Sequence, residues 1–197
     1  PADTSECYQA TALAFYLAEK YQTLVVLLLD FFLSNSIRNI DVPDPIDVSF
    51  LSANIAPDEK NLSNYQRYQI TDSGISPRTI PGTPGGMFFS TGLEHDENGR
   101  PAYDSDTHLK MTQKRHIKHE NALKEAPKPS ITGIDGEVDI GLISWGSSAG
   151  AAKEAVHQAN DQGIKAACFS SLMVCPFPVD ELKTFADRCK TILVPEL

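Results

Sequence analysis

Between residues 138 and 194 the sequence alternates short apolar runs with helical stretches, and that alternation leaves few folds open. Val138 to Trp145 reads as a strand, Ala149 to Gln162 as a helix stopped by Gly163, and Ile164 to Val174 as a second strand. Asp180 to Lys190 reads as another helix and Thr191 to Val194 as a third strand. Strands separated by helices cannot pair as hairpins. They return in the same direction through right-handed crossovers and build a parallel α/β sheet with both faces covered. The chain shows no internal repeat and no low-complexity tract.

The first segment reads as helix, then strand. Ala10, Leu13, Ala14, Leu17, Ala18 and Tyr21 recur at helical spacing, and Asp3 with Glu6 three residues later resembles a capping box. Leu24 to Leu29 is an unbroken apolar run, the signature of a strand buried on both faces. Ser34 to Pro45 leaves it as a loop.

The middle carries most of the Pro and Gly. Tyr65 to Ile70 and Met87 to Phe89 read as short strands. Three Pro and four Gly between Thr71 and Gly86 exclude a helix there, and a loop this long points to function or to contact with another chain. Residues 106–125 read as a helix with Leu109, Met111, Ile117 and Leu123 as its apolar positions, ended by Pro127 and Pro129. Residues 106–130 hold six basic and three acidic residues, in a chain whose net charge is −9.

That acidity argues against nucleic acid or an anionic membrane as the main partner, since both are polyanions. The apolar run from Leu24 is broken by Asp30 and is about half the length a bilayer span needs. Nothing reads as a signal peptide, and four scattered Cys make no disulfide framework, so the chain is expected to be cytoplasmic. Both ends read as cut: the chain starts at Pro1 and stops directly after a strand-like run.

Gly146-Ser147-Ser148-Ala149-Gly150 matches G-x-S-x-G between a strand and a helix, where a strained turn exposes a nucleophile. A hydrolase with Ser148 as nucleophile needs an acid and then a His later in the chain, but the last His is His157, inside the following helix. The same turn can cradle a phosphate on a helix N-terminus, although it lacks the Lys of a P-loop. A plain, closely packed turn explains the small residues as well. His116, His119 and Glu120, with His108 two turns earlier, share a helix, and Glu94-His95-Asp96-Glu97 forms an acidic loop cluster. Neither fits a metal-binding pattern, and solvated or interface faces are the favoured reading. Cys7, Cys168, Cys175 and Cys189 read as small buried hydrophobes, without zinc or iron–sulfur spacing. From the residues alone, the chain is an α/β protein with no complete catalytic constellation.

Several blocks, in order along nearly the whole chain, resemble one family. They are Ala14–Thr23 with Leu29-Asp30; Gly74-Ile75-Ser76-Pro77-Arg78 running into Pro81–Gly86; and Thr91-Gly92 with Glu94–Glu97. Met111 with Lys114-Arg115, Ser144–Ser147, Pro176-Phe177-Pro178 and Val194–Leu197 follow. Together they resemble the α subunits of 2-oxoacid:ferredoxin oxidoreductases, nearest to the 2-oxoglutarate type. Leu24 stands where that family has Pro.

The resemblance implies decarboxylation of a 2-oxoacid onto coenzyme A, with thiamine diphosphate as cofactor and electrons passing through a 4Fe-4S cluster to ferredoxin. It implies that residues 1–45 end a pyrimidine-binding domain, 46–130 bridge, and 131–197 form a truncated domain like the C-terminal domain of transketolase. A β subunit would hold the diphosphate, Mg2+ and the cluster, so this segment is expected to bind no cofactor and to be inactive alone. The family's Tyr-Pro-Ile-Thr-Pro motif and activating Glu are not matched here, so no catalytic residue is carried over. Arg78, a lone cation in the constrained Gly/Pro loop, is the candidate contact; an ion pair bracing that loop or a subunit interface is the alternative. A non-catalytic α/β interaction module, and then a serine hydrolase using Ser148, are the other functional readings.

Overall fold

The computed structural model describes residues 1–41, 43, 44 and 59–196, apart from the side chains of residues 59–61. The boundary expected at 45/46 lies outside those residues. The chain forms two compact units: residues 1–14, 26–46 and 125–197 make the first, and residues 15–25 and 47–124 the second.

Unit 1 is built on a four-stranded sheet of β1 (Ser130–Gly133), β2 (Val138–Ser144), β3 (Ala166–Ser170) and β4 (Cys189–Leu193), in the order β1-β3-β2-β4. The three expected strands are parallel: β2 pairs with β3 on one side and β4 on the other. The edge strand β1 was not expected. It runs antiparallel to β3, and with Ile131 as its one large apolar side chain it offers no hydrophobic run to read.

Helix α4 (Ser148–Asp161) and helix α5 (Val179–Ala186) cover opposite faces of the sheet, which explains why β3 is buried along its whole length. Its alternate residues Ala166 and Cys168 pack with Ala152 and Val156 of α4, while Ala167 and Phe169 pack with Val138 and Phe185 of α5. Gly141 in β2 is required by this packing, because a Cβ there would lie 2.5 Å from Cys189 Sγ. Strand β3 stops at Ser170, four residues before the expected end, where Ser171 Oγ turns back to Met173 O at 2.7 Å. Helix α5 ends at Ala186 rather than Lys190, because Arg188 O is already accepting Val138 N–H at 2.9 Å beside β4.

Helix α1 (Thr4–Tyr21) contributes its first part to unit 1 and its last turns to unit 2, and the expected stripe is inward at Ala10, Leu17 and Tyr21. Its cap is a variant of the box: Asp3 Oδ1 accepts Glu6 N–H at 2.8 Å, while the Glu6 carboxylate reaches Ala2 N–H. A short helix α2 (Phe31–Ser34) follows in unit 1.

Unit 2 holds helix α3 (Ser105–Glu125) and a 3-10 helix (Glu59–Asn64), joined by irregular chain. Three expected strands are absent. Leu24 to Leu29 has no regular secondary structure and joins no ladder among the described residues, leaving Leu24, Val26 and Leu28 exposed at 86%, 64% and 66%. An apolar run becomes a strand only when a neighbour takes its backbone groups, and these residues supply none. Tyr65 to Ile70 turns at Arg67-Tyr68, with Gln69 N–H bonded back to Gln66 O and Tyr68 N–H to Glu97 O. Met87 to Phe89 is loop, entered through a tight turn in which Gly86 N–H donates to Thr83 O.

Candidate functional site

In unit 1 the G-x-S-x-G turn links β2 to α4 as expected, with Gly146 at φ 59° and Ser147 as N-cap. Its chemistry is that of the plain βα turn and departs from both the nucleophile and the phosphate readings. Ser148 Oγ donates to Trp145 O at 2.7 Å and meets no base among the described residues, which does not favour the serine-hydrolase reading. The helix N-terminus read as a phosphate cradle already holds an anion: Asp30 Oδ2 accepts Ser147 N–H at 2.8 Å. Asp30 Oδ1 accepts Leu33 N–H at 2.8 Å, so one carboxylate caps α2 and α4 together. Those bonds, first Leu33 and then Ser147, hold the Asp30 carboxyl below its ordinary range. Asp30 stands in the sequence as a break in an apolar run and as a position of a family block, and neither mark shows that it reaches Ser147.

In unit 2 the Gly/Pro loop is closed by side chains. Thr79 Oγ1 donates to Gly86 O at 2.8 Å, Tyr65 OH bridges Pro77 O and Thr79 N–H, and Ser76 Oγ donates to Gln69 O at 2.9 Å. Arg78 is ion-paired with Glu19 through Nη2 and Oε1, the bracing arrangement weighed above.

Helix α3 turns a different face inward than its apolar pattern suggests. Leu109 is exposed, whereas Met111, Lys114 and Ala122 are buried and Lys118 is half-buried. These four share one helical face, so the positions were legible but two are basic, and basic residues read as solvated. Lys114 is 5% exposed; its Nζ donates to Tyr68 O at 2.9 Å and to Ser76 Oγ. Lys118 Nζ donates to Gln22 O at 3.1 Å, Arg67 Nη1 to Gln22 Oε1 at 2.9 Å, and Gln22 Nε2 to Ser76 O at 2.8 Å. Burial, aided by neighbouring cations, brings Lys114 and Lys118 each down to about 8. Gln22 sits at the centre of this network with φ 49°, the one positive-φ residue other than glycine among the described residues.

The acidic loop does bind a cation, but one belonging to the protein. Glu94 pairs with Arg115 and with His108 at 2.7 Å, and these partners, Arg115 foremost, pull its carboxyl down to about 2. His116 pairs with Glu120 at 3.2 Å along the helix. No group of three or more His, Cys, Asp or Glu able to hold a metal occurs among the described residues. Cys168 is buried as expected, but Cys175 is exposed and Cys7 and Cys189 are half-buried. No helix among the described residues is long and apolar enough to cross a membrane.

Residues 1–114 match the family profile "pyruvate flavodoxin/ferredoxin oxidoreductase, thiamine diphosphate binding", and residues 138–197 match "pyruvate:ferredoxin oxidoreductase core domain II". The chain is 34% identical over 179 residues to the 2-oxoacid:ferredoxin oxidoreductase subunit alpha of Saccharolobus solfataricus, covering 89% of this chain and 28% of that one. It is 26% identical over 202 residues to the 2-oxoglutarate synthase subunit KorA of Methanothermobacter marburgensis, covering 100% of this chain and 51% of that one. Among solved structures it resembles the 2-oxoglutarate:ferredoxin oxidoreductase of Magnetococcus marinus, with TM-score 0.81 and 31% identity over 100% of this chain and 34% of that one. The chain thus spans between about a quarter and half the length of these relatives.

Proposed function

The chain belongs to the pyruvate flavodoxin/ferredoxin oxidoreductase family, and from that premise we propose that it is part of the α subunit of a 2-oxoglutarate-type 2-oxoacid:ferredoxin oxidoreductase. The observation that carries this reading is the succession on one chain of the thiamine-binding family region and core domain II. In the reaction, the bond between C1 and C2 of the 2-oxoacid breaks and C1 leaves as carbon dioxide. The acyl carbon joins the sulfur of coenzyme A, the thiol proton is released, and two electrons pass through an iron–sulfur cluster to ferredoxin.

Thiamine diphosphate would supply the electron sink for the carbon–carbon cleavage. The described residues do not fit its diphosphate and Mg2+: the α4 N-terminus is closed by the Asp30 carboxylate, and no oxygen-ligand cluster accompanies it. We therefore assign the diphosphate, Mg2+ and the 4Fe-4S cluster mainly to the partner β subunit, and no reaction step to these residues. Their work is positional. Residues 1–45 would close the pyrimidine-binding domain, with the unpaired run Leu24–Leu29 as one of its strands; 46–130 would bridge; and 131–197 would be the transketolase-C-like domain. Free thiols at Cys7, Cys168, Cys175 and Cys189 suit the reducing cytoplasm in which we place the enzyme.

Coexpression of the full-length protein with a β subunit of the same enzyme should give viologen reduction that requires both 2-oxoglutarate and coenzyme A. The 197 residues alone should give none. Failure with 2-oxoglutarate, pyruvate and other 2-oxoacids alike would overturn the reading.

A further inference from the structure

Arg67, Lys114 and Lys118 converge on one polar network in unit 2, and none of them forms an ion pair among the described residues. Glu97 acts on Lys114 at longer range, its Oε1 being bonded to Ile70 N–H at 2.8 Å. The three cations repel one another, and they stand half-buried or buried without the counter-charge that such burial ordinarily demands. Arg67 is the outermost marker of the site: its guanidinium lies 5.2 Å from the Tyr68 ring and 5.7 Å from the Phe88 ring. Beyond Phe88, the same loop presents Met87 at 92% and Phe89 at 63% exposure, with Ile80 at 64%.

Isolated apolar side chains on a surface need no explanation, but a ridge of Met and Phe against an aromatic-stacked Arg has the composition of an interface core. The loop is also pre-organised. Thr79 ties its two limbs together through Gly86 O, and Gly99 passes so close beneath that a Cβ there would lie 2.1 Å from Phe89 O and 2.9 Å from the Tyr68 ring. A surface fixed before binding loses little entropy on docking.

Resting on the subunit reading above, we propose that this face of unit 2 docks a partner subunit, which inserts an acidic side chain between Arg67 and Lys118 and packs apolar residues around the Met87–Phe89 ridge. Charge complementarity selects this occupant. Among the described residues Arg67 and Lys118 each make one hydrogen bond, both to Gln22, and keep further N–H donors for a carboxylate.

The test uses the full-length protein coexpressed with its partner subunit, a pull-down titration, and oxidative footprinting of Met87. Met87→Asp should weaken the complex at least about tenfold while circular dichroism and the thermal midpoint stay unchanged, since that side chain touches solvent. Arg67→Gln should weaken it and flatten its salt dependence, Arg67→Lys should recover part of the loss, and Lys110→Glu, elsewhere on α3, should change neither. Met87 should be oxidised in the isolated full-length protein and protected in the complex. A wild-type complex that Met87→Asp and Arg67→Gln leave intact overturns the docking face and leaves the subunit reading standing. Equal protection of Met87 without the partner overturns it too, because another part of the same protein, or a second copy, would then cover the ridge. If the wild-type protein captures no partner at all, the docking face and the subunit reading fall together.

Discussion

The carboxy-terminal sheet of unit 1 and the loops of unit 2 are comparable stretches of one chain held by different forces. The sheet is held by ladders and by apolar side chains on both faces of β3. The loops are held by Lys114, Gln22, Ser76, Thr79 and Tyr65, each reaching a backbone carbonyl or another side chain. The difference teaches that an inward-facing lysine can do locally what a strand pair does elsewhere: satisfy the carbonyls of chain that has no ladder. It also carries different sensitivities, because a ladder tolerates the loss of most single side chains whereas a side-chain network depends on particular ones.

The largest effect should come from the sheet's centre. Phe169 is fully buried between Phe177 and Phe185, so Phe169→Ala should cost about 3–5 kcal/mol, seen as a fall in the urea midpoint. Amide exchange should show the loss across β2, β3 and β4 and not in the loop from Ser76 to Gly86. A uniform loss across both units would break the comparison.

Next is Lys114→Met, which keeps volume and removes the donors. Two competing effects set the sign. Losing the ammonium relieves the burial that lowers its pKa, but Tyr68 O and Ser76 Oγ lose a charged donor, and each such bond is worth about 1.5–3 kcal/mol. With two bonds against one desolvation, the variant should be destabilised by about 2 kcal/mol, and the loop amides should exchange faster. A neutral or stabilising outcome would mean that unit 2 is held by apolar packing after all. The pH dependence sharpens this. A lysine whose folded pKa is about 8 binds fewer protons folded than unfolded, so wild-type stability should rise as pH climbs from about 8 towards 10.5. The Met variant should lose that lysine's share of the rise.

How much of this was legible follows the same division. The parallel order of β2, β3 and β4 was readable because burial on both faces writes a continuous apolar run and the crossovers write helical periodicity. Edge strand β1 was not, since one Ile in four residues carries no period. Leu24–Leu29 had a strand's composition without a strand's neighbours, and composition cannot report the neighbour. In unit 2, Lys114 and Lys118 stood at the right spacing from Met111, but a rule that sends charges outward discards them. The pairing of Asp30 with Ser147 spans 117 residues and leaves no local mark. The family blocks did contain Arg78, Lys114, Asp30 and Ser147, so the resemblance marked positions whose physical work periodicity could not show.

Asp30 gives a smaller effect within unit 1, and tests whether that unit too depends on single polar links. Asp30→Ala removes the caps of α2 and α4 at once and should cost about 1–2 kcal/mol. The amides of Ser147 and Leu33 should exchange faster while Phe169 keeps its protection. Equal loss at Phe169 would show that the sheet leans on this carboxylate and would erase the contrast with unit 2.

The smallest effect is electrostatic and belongs to unit 2 alone. Glu94 joins its acidic loop to α3 through Arg115 and His108, and those partners lower its carboxyl from 4.5 to about 2. A carboxyl depressed in the folded state contributes stability that is fully present above its unfolded value. That contribution is lost as pH falls from about 4.5 towards 2. Glu94→Gln should therefore lower stability above about pH 4.5, by a small amount because the exposed parts of this network are screened by water and salt, and flatten the acid limb in that window so that variant and wild type converge towards pH 2. The measurement is the urea midpoint of wild type and variant at pH 3 and pH 6, followed at loop amides. If the two proteins lose equal stability between those pH values, the acid sensitivity lies outside the Glu94–Arg115–His108 contact. The loops of unit 2 would then owe their order to the buried lysine network alone.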